Sequence, residues 1–346
     1  MRRLKANISI GDKVIKNVTN LQIVSGWDIF TDTCVITLPK KMQEKGKSIV
    51  TGDDSLFKIG NKVEVALSYH PNEEKKVFQG YLSRVKPGIP MVLECEDAMW
   101  LLKQVPMNCS SKEPITLGKL FSEFDKAIGE AGGDSEFLNN LKEIKFDSSD
   151  EFKETELGKF RSGQGQSITS VLDDLKKKFG FHSWVRENTV YVVGATYYKT
   201  IDSEPSTFGF QSDIISSELE YKDEDDVKIT ITGISVLDKP EDPTTDKIEV
   251  TAGDTGGQQK LLYFHNMKKG DLQTKVDGIV PDYKYTGFFG AFLTFGEPTV
   301  FHGGRVELED KKEKTRNGIY LIKGVEYSFG MGGFRQKIKL GAKIPK

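Results

Sequence analysis

The chain is poor in the residues that build covalent or metal-held scaffolds. Its 346 residues include only three cysteines and four histidines. Cys34, Cys95 and Cys109 show no CxxC spacing, so they read as buried or idle thiols with no disulfide framework. None of His70, His182, His265 and His302 lies in an HExxH pattern or beside a cysteine at zinc spacing, so no metal and no cofactor is expected. No apolar run approaches the ~20 residues of a membrane-crossing helix, and no membrane insertion is predicted. The start, Met1-Arg2-Arg3-Leu4-Lys5, is basic but leads into no apolar signal core, which predicts a chain made in a cytoplasm. Charge of one sign is missing too. With 49 basic and 51 acidic side chains the net charge is −2, which removes the electrostatic ground for sequence-reading DNA binding.

What the chain has is glycine and phenylalanine, 34 and 21 residues against 12 prolines, a composition of short strands and tight turns. Period-2 alternation marks strands at Ala6-Ile8-Ile10, Leu21-Ile23, Cys34-Ile36-Leu38 (stopped by Pro39) and Val63-Val65-Leu67-Tyr69 (stopped by His70-Pro71-Asn72). Glu96-Asp97 caps a short apolar helix at 98–102. From Thr116 the period becomes helical, with Leu117, Leu120, Phe121, Phe124 and Ile128 on one face up to Gly132-Gly133. Residues 134–160 read as loop-rich. A second helix starts at the N-cap Ser167, carries Ile168, Val171, Leu172, Leu175 and Phe179 on one stripe, and stops at Gly180. A hairpin follows through the turn Arg186-Glu187-Asn188. After residue 205 strands return at 228–232, 247–250, 305–308, 320–322 and 334–340, with a polar loop at 238–243 and a short helix near Leu272 and Val276. The expected class is mainly β with an α+β insert. Residues 1–105 and 206–346 form two related small β-barrel domains, and 106–205 form the α+β domain between them.

The two flanks echo each other. Phe57-Lys58-Ile59-Gly60 precedes the strand Val63-Glu64-Val65, and Phe301-His302-Gly303-Gly304 precedes Val306-Glu307-Leu308. Gly80 follows Gly60 by the same interval as Gly324 follows Gly304, and Gly88 and Gly332 match again. A chain carrying two copies of one unit lets n chains imitate a ring of 2n units.

The stretch Phe57-x-x-Gly60-x-x-Val63-Glu64-Val65, then Val77-Phe78-Gln79-Gly80-Tyr81-Leu82-Ser83-Arg84-Val85, then Leu93-Glu94-Cys95-Glu96-Asp97 with Leu101-Leu102, resembles the N-terminal part of phage tail baseplate hub proteins. These include the late-control D type and the N-terminal half of type VI secretion spike proteins. Ser167-Ile168-x-x-Val171-Leu172-x-x-Leu175 with Phe179-Gly180-Phe181 looks like that family's insert. Phe295-Gly296-Glu297-Pro298, Asn317-Gly318-Ile319-Tyr320-Leu321-Ile322 and Gly332-Gly333-Phe334 are similar to its closing barrel. Residues 134–160 and 238–260 match no part of the pattern. The resemblance implies a non-enzymatic homotrimer whose six barrels adapt a sixfold tail tube to a threefold central spike, that spike being a separate chain. It implies a place in the virion tail baseplate, assembled in the host bacterial cytoplasm, with tube protein, spike and other baseplate proteins as partners and DNA only as passing cargo.

No catalytic constellation stands out. Gly163-Gln164-Gly165-Gln166-Ser167 lacks the residues of a phosphate loop, and Asp223-Glu224-Asp225-Asp226 lacks calcium-loop spacing. The most apolar run, Gly287–Leu293, reads as core, or as a subunit or spike interface through Phe288, Phe289 and Phe292. The rival readings are a receptor- or carbohydrate-binding β protein of the tail tip and a cell-wall hydrolase.

Overall fold

The computed structural model describes residues 4–344 apart from 45–46, 53–55, 71–73, 132–137, 164, 195–203 and 238–246. The expected turns or loops at Pro71-Asn72, Gly132-Gly133 and 238–243 lie outside the described residues.

The first flank consists of β1 (Lys5–Ile10), β2 (Lys13–Ile15), β3 (Asn20–Gly26), β4 (Thr33–Leu38), β5 (Lys41–Glu44), β6 (Lys47–Val50), β7 (Lys62–Ser68), β8 (Lys75–Lys86), β9 (Met91–Glu96) and the short α1 (Met99–Leu102). The alternating residues read from the sequence all point inward: Ile8, Ile10, Leu21, Ile23, Ile36, Leu38, Val63, Val65 and Leu67 are buried. Gly11 makes the β1–β2 turn at φ 58°, where a Cβ would be strained. Asp97 caps α1 as expected, its Oδ1 accepting the Met99 N–H at 2.9 Å.

The insert is α+β. It contains β10 (Ser110–Thr116), α2 (Leu117–Ala131), β11 (Lys145–Asp147), α3 (Asp150–Lys153), β12 (Glu156–Arg161), α4 (Ile168–Phe179), β13 (His182–Arg186) and β14 (Thr189–Val193). The stripes of α2 and α4 meet in one core with Val185, Val190 and Val192. Ser167 caps α4 by accepting the Ser170 N–H, and Gly180 ends it in the left-handed region at φ 69°. Residues 134–160 are more regular than the sequence suggested. Between 138 and 161 lie a 3-10 turn, β11, α3 and β12. These pieces are too short to display a period, and pairing with distant β10 and β14 holds them.

The second flank holds β15 (Ser206–Gly209), β16 (Ile214–Ser217), β17 (Glu220–Lys222), β18 (Ile229–Val236), β19 (Lys247–Gly253), β20 (Gln258–His265), α5 (Lys269–Ile279), β21 (Gly287–Phe289), β22 (Ala291–Phe295), β23 (Arg305–Glu309), β24 (Gly318–Gly330) and β25 (Gly333–Ile344). Here the structure adds a subdomain the sequence did not reveal. β18 lies between β19 and β20, with α5 packed on the three strands around a separate small core of Ile229, Ile231, Val250, Leu272 and Val276. The flanks themselves share one hydrophobic core and one 13-stranded sheet, in the order β16-β22-β25-β24-β3-β4-β9-β8-β7-β1-β2 with β23 and β15 paired off β24.

Candidate assembly interface

The two flanks have the same strand order and differ in direction at one strand: β1 runs antiparallel to β7, whereas β15 runs parallel to β23. The six strands β1, β3, β4, β7, β8 and β9, counted in chain order, lie across the sheet as 1-4-5-6-3-2. So do β15, β16, β22, β23, β24 and β25. The match extends to single residues. Gly60 N–H donates to Leu82 O at 2.8 Å and Leu82 N–H to Asn61 O at 2.9 Å; Gly303 N–H donates to Ile322 O at 2.8 Å and Ile322 N–H to Gly304 O at 2.9 Å. A bulge then follows in both copies, between the pairs Leu82↔Cys95 and Arg84↔Glu94 and between Ile322↔Leu340 and Gly324↔Lys339.

This register corrects the glycine matching read from the sequence. Gly60 corresponds to Gly303, Gly324 to Arg84, and Gly80 (opposite Val63) to Tyr320 (opposite Val306). Gly80 answers a local demand: a Cβ there would sit 2.1 Å from Glu96 O. The fifth-to-sixth-strand hairpins also differ in length. Arg84 and Glu94 are 10 positions apart and Gly324 and Lys339 are 15, so the second hairpin is five residues longer.

The extra length joins the copies. Beyond the bulge, Gly324–Gly330 of β24 pairs antiparallel with β3, from Gly324↔Gly26 to Gly330↔Asn20. The second strand of one copy is thus held by the hairpin of the other, closing two sheet edges that would otherwise be open. Tyr327 lies in this stretch, fully buried, with its hydroxyl donating to Val300 O.

A polar knot, buried at Asp97 and half-buried at Ser25 and Asp32, anchors the joint. Ser25 Oγ donates to Asp32 Oδ2 at 2.5 Å, Gly26 N–H to Asp32 Oδ1 at 3.2 Å, and Asp32 N–H to Asp97 Oδ2 at 2.9 Å. Burial pushes the Asp32 carboxyl up to about 7, against the Ser25 hydroxyl, the Gly26 N–H and the Arg186 charge, which all favour the carboxylate. Burial, and then the nearby charge of Asp32, holds Asp97 well above the usual carboxylate range. Arg186 reaches in from the insert, donates to His302 O at 2.9 Å and lies over the rings of Trp184 (5.1 Å) and Phe301 (5.7 Å). Together Ser25, Asp32, Gln79, Asp97, Arg186 and His302 border a cavity of about 360 Å³. Lys176 Nζ of α4 donates to Asp28 O at 2.6 Å, tying the insert to the chain just after β3.

The sequence-predicted residues fall as follows. Phe292 and Phe288 are buried in the shared core, Phe292 edge-on to Phe208 at 5.6 Å and Phe288 edge-on to Tyr221 at 5.1 Å. Phe289 is half-buried and stacks on Tyr285 at 4.3 Å, so of the three it alone keeps surface to offer a partner. His302 is buried, and burial with the Arg186 charge lowers it to about 3. His182 packs against Trp27 with the rings tilted at 47° and their centroids 4.3 Å apart, and is lowered by burial to about 4. His70 lies 3.7 Å from Glu297. The three cysteines are free and buried. Among the described residues no cluster of metal-ligating side chains occurs, and no helix is long and apolar enough to cross a membrane. Sequence reasoning missed the Asp32–Asp97 knot, whose members are 65 positions apart. The one signal was the acidic cap before α1.

No family model and no curated protein matches the chain. Solved structures do. A tail protein from Neisseria meningitidis MC58 is 15% identical with a TM-score of 0.63, covering 98% of this chain and 96% of that one. The 43 kDa tail protein of prophage MuSo2 from Shewanella oneidensis is 12% identical with a TM-score of 0.62, covering 97% of each. The E. coli c3393 protein, described as a type VI secretion component with structural similarity to the T4 tail proteins gp27 and gp5, is 9% identical with a TM-score of 0.58, covering 98% of this chain and 77% of that one. Over nearly its whole length, the chain has the fold of these two tail proteins and of about three quarters of the type VI secretion component.

Proposed function

We propose that the chain is the baseplate hub of a phage tail or related contractile injection apparatus, a non-enzymatic trimer that joins a sixfold tail tube to a threefold central spike. The observation that carries this reading is the duplicated six-strand plan joined through β3 and β24 into one sheet. Two copies per chain give a trimer six like units around a ring while its insert and outer elements keep threefold symmetry, which is the geometry such an adaptor needs. The likeness to tail proteins over nearly the whole chain supports the same reading. The site chemistry favours structure over catalysis: both oxygens of Asp32 and of Asp97 accept hydrogens from main-chain or hydroxyl groups. DNA passes the ring as cargo, and the near-neutral charge suits passage without grip.

The test is native mass spectrometry of the chain alone and with its tail partners. A trimer is the expected species. A chain that stays monomeric even with tube and spike proteins present overturns the reading.

A further inference from the structure

The joint inside one chain is a template for the joint between chains. Within the chain, the second strand of copy one, β3, pairs with the fifth strand of copy two, β24. Its counterpart would pair the second strand of copy two with the fifth strand of copy one, β8. Those two edges are open. β8 beyond Leu82 bonds β9 on one side only, and Arg84 and Lys86 are exposed. β16 and β17 together make the second strand of copy two, and each bonds β22 or β21 on one side only. Among the described residues neither free edge has a main-chain partner.

The register follows from the pairings. Val35 and Ala291 correspond, because Val35 faces Glu94 in β9 and Ala291 faces Lys339 in β25. Through them Val24, Ser25 and Gly26 correspond to Glu220, Tyr221 and Lys222; Val24 faces Thr33 as Glu220 faces Phe289. Gly324, Val325 and Glu326 correspond to Arg84, Val85 and Lys86. The template pairs Gly26↔Gly324, Ser25↔Val325 and Val24↔Glu326. Transferred, it sets Lys222 against Arg84, Tyr221 against Val85 and Glu220 against Lys86.

We propose that the edge Glu220–Lys222 of one chain docks antiparallel on the edge Arg84–Lys86 of a second copy, with Tyr221 opposite Val85. This inference rests on the hub reading and names its subunit contact. The chemistry at the edge fits. Glu220 meets Lys86, whose ammonium pairs with Glu94 in the single chain, as an opposite-charge cross-strand pair, and Tyr221 meets Val85 as an aromatic and β-branched pair. Lys222 faces Arg84 as a like-charge pair, which opposes the docking and which Glu220, 2.8 Å from Lys222, offsets in part. Continued toward the hairpin tip, the register brings Ile89 opposite Ser217, two residues from Ile215. These are large apolar side chains 60% and 44% exposed in the single chain, and the docking covers both.

The test places cysteines at the exposed pair, Glu220→Cys with Lys86→Cys, in the full chain. The native cysteines are buried and stay silent. Directly opposed Cβ atoms lie about 5 Å apart, within reach of a disulfide after small adjustment or of a short bismaleimide. The expected result is a covalent ladder closing at three chains on a non-reducing denaturing gel, absent from either single variant and at least several-fold weaker in the off-register pair Glu220→Cys with Arg84→Cys. Trimers by native mass spectrometry without this cross-link overturn the docking and leave the hub reading standing. Monomers overturn both. A ladder running past three keeps the edge pairing and overturns the trimer.

Discussion

Asp32→Asn is a sharp probe of the knot beneath the joint. The native carboxyl rises from an ordinary 3.8 to about 7, which corresponds to about 4 kcal/mol against the ionised form. The sign follows from proton counting. Between those values the folded chain holds a proton that the unfolded chain has released, so the wild type loses stability as pH rises from about 4 to about 7. Asparagine is close to isosteric and never ionises. Its oxygen can accept from the Gly26 N–H, and its NH2 can donate to Ser25 Oγ, which reverses its role. The neutral variant therefore mimics the protonated aspartate. It should be within about 1 kcal/mol of wild type at pH 4 and gain on it by up to about 4 kcal/mol by pH 8. His302 and His182 are held neutral in the fold and oppose this slope, since their lowered values make stability rise with pH up to about 6.5. Both histidines are present in both proteins, so they largely cancel in the difference; Asp97, whose carboxyl the Asp32 charge helps to raise, is relieved in the variant and adds to its gain at high pH. The assay is urea unfolding of wild type and variant across that range, compared by midpoint at each pH. Parallel curves, or a variant that falls behind as pH rises, refute the assignment of a proton-holding Asp32.

Three further outcomes follow from the packing. Gly80→Ala should lower stability by about 3 kcal/mol or more, because the new methyl collides with main chain at Glu96 and not with a yielding side chain; thermal unfolding reads it. Phe292→Ala should cost about 3–5 kcal/mol of folding stability in the monomer itself, while Phe289→Ala, at a half-buried site, should cost clearly less; chemical denaturation separates the two. Ser167→Ala removes the acceptor at the start of α4 and should cost about 1 kcal/mol, measured the same way.

The sequence announced those elements whose pattern is local. β1, β3, β4 and β7 alternate cleanly because one face of each meets the core, and α2 and α4 carry stripes with recognisable ends. It misled where structure depends on pairing. Equal glycine spacings suggested that Gly80 matches Gly324, yet the register sets Gly80 against Tyr320, because spacing along a chain says nothing about where a bulge falls. β18 was read as an alternating strand of the barrel. Its run of buried residues, Ile229–Gly233, instead reflects a central strand with neighbours on both sides and α5 across it. Phe288, Phe289 and Phe292 stood out as an apolar run, but two of them fill their own chain's core, and the edge proposed for docking, Arg84–Lys86, is charged and counted only as part of the family resemblance, not as an interface. Asp32 and Asp97 have no pattern at all; only the fold brings them together.

The unequal hairpins explain why a duplicated chain need not collapse on itself or pair at random. If both fifth strands were equally long, either copy could capture either second strand, and the joint within a chain would compete with the joint between chains. The five additional residues of the second hairpin break that symmetry. They give β3 a seven-residue partner, Gly324–Gly330, that is always at hand in the same chain, and the shared core, with Tyr327 and Phe329 in it, forms around that pairing. The edges left over, β8 past the bulge on one side and β16–β17 on the other, are unlike each other and short, with charges at Arg84, Lys86, Glu220 and Lys222. Short charged edges resist indiscriminate strand addition. Because they are unlike, any contact between them is head-to-tail, and a head-to-tail contact either closes into a ring or runs on as a filament. In the hub reading the closure is set at three chains, with the rigid joint of β3 and β24 fixing half of the turns around the ring before any second chain arrives.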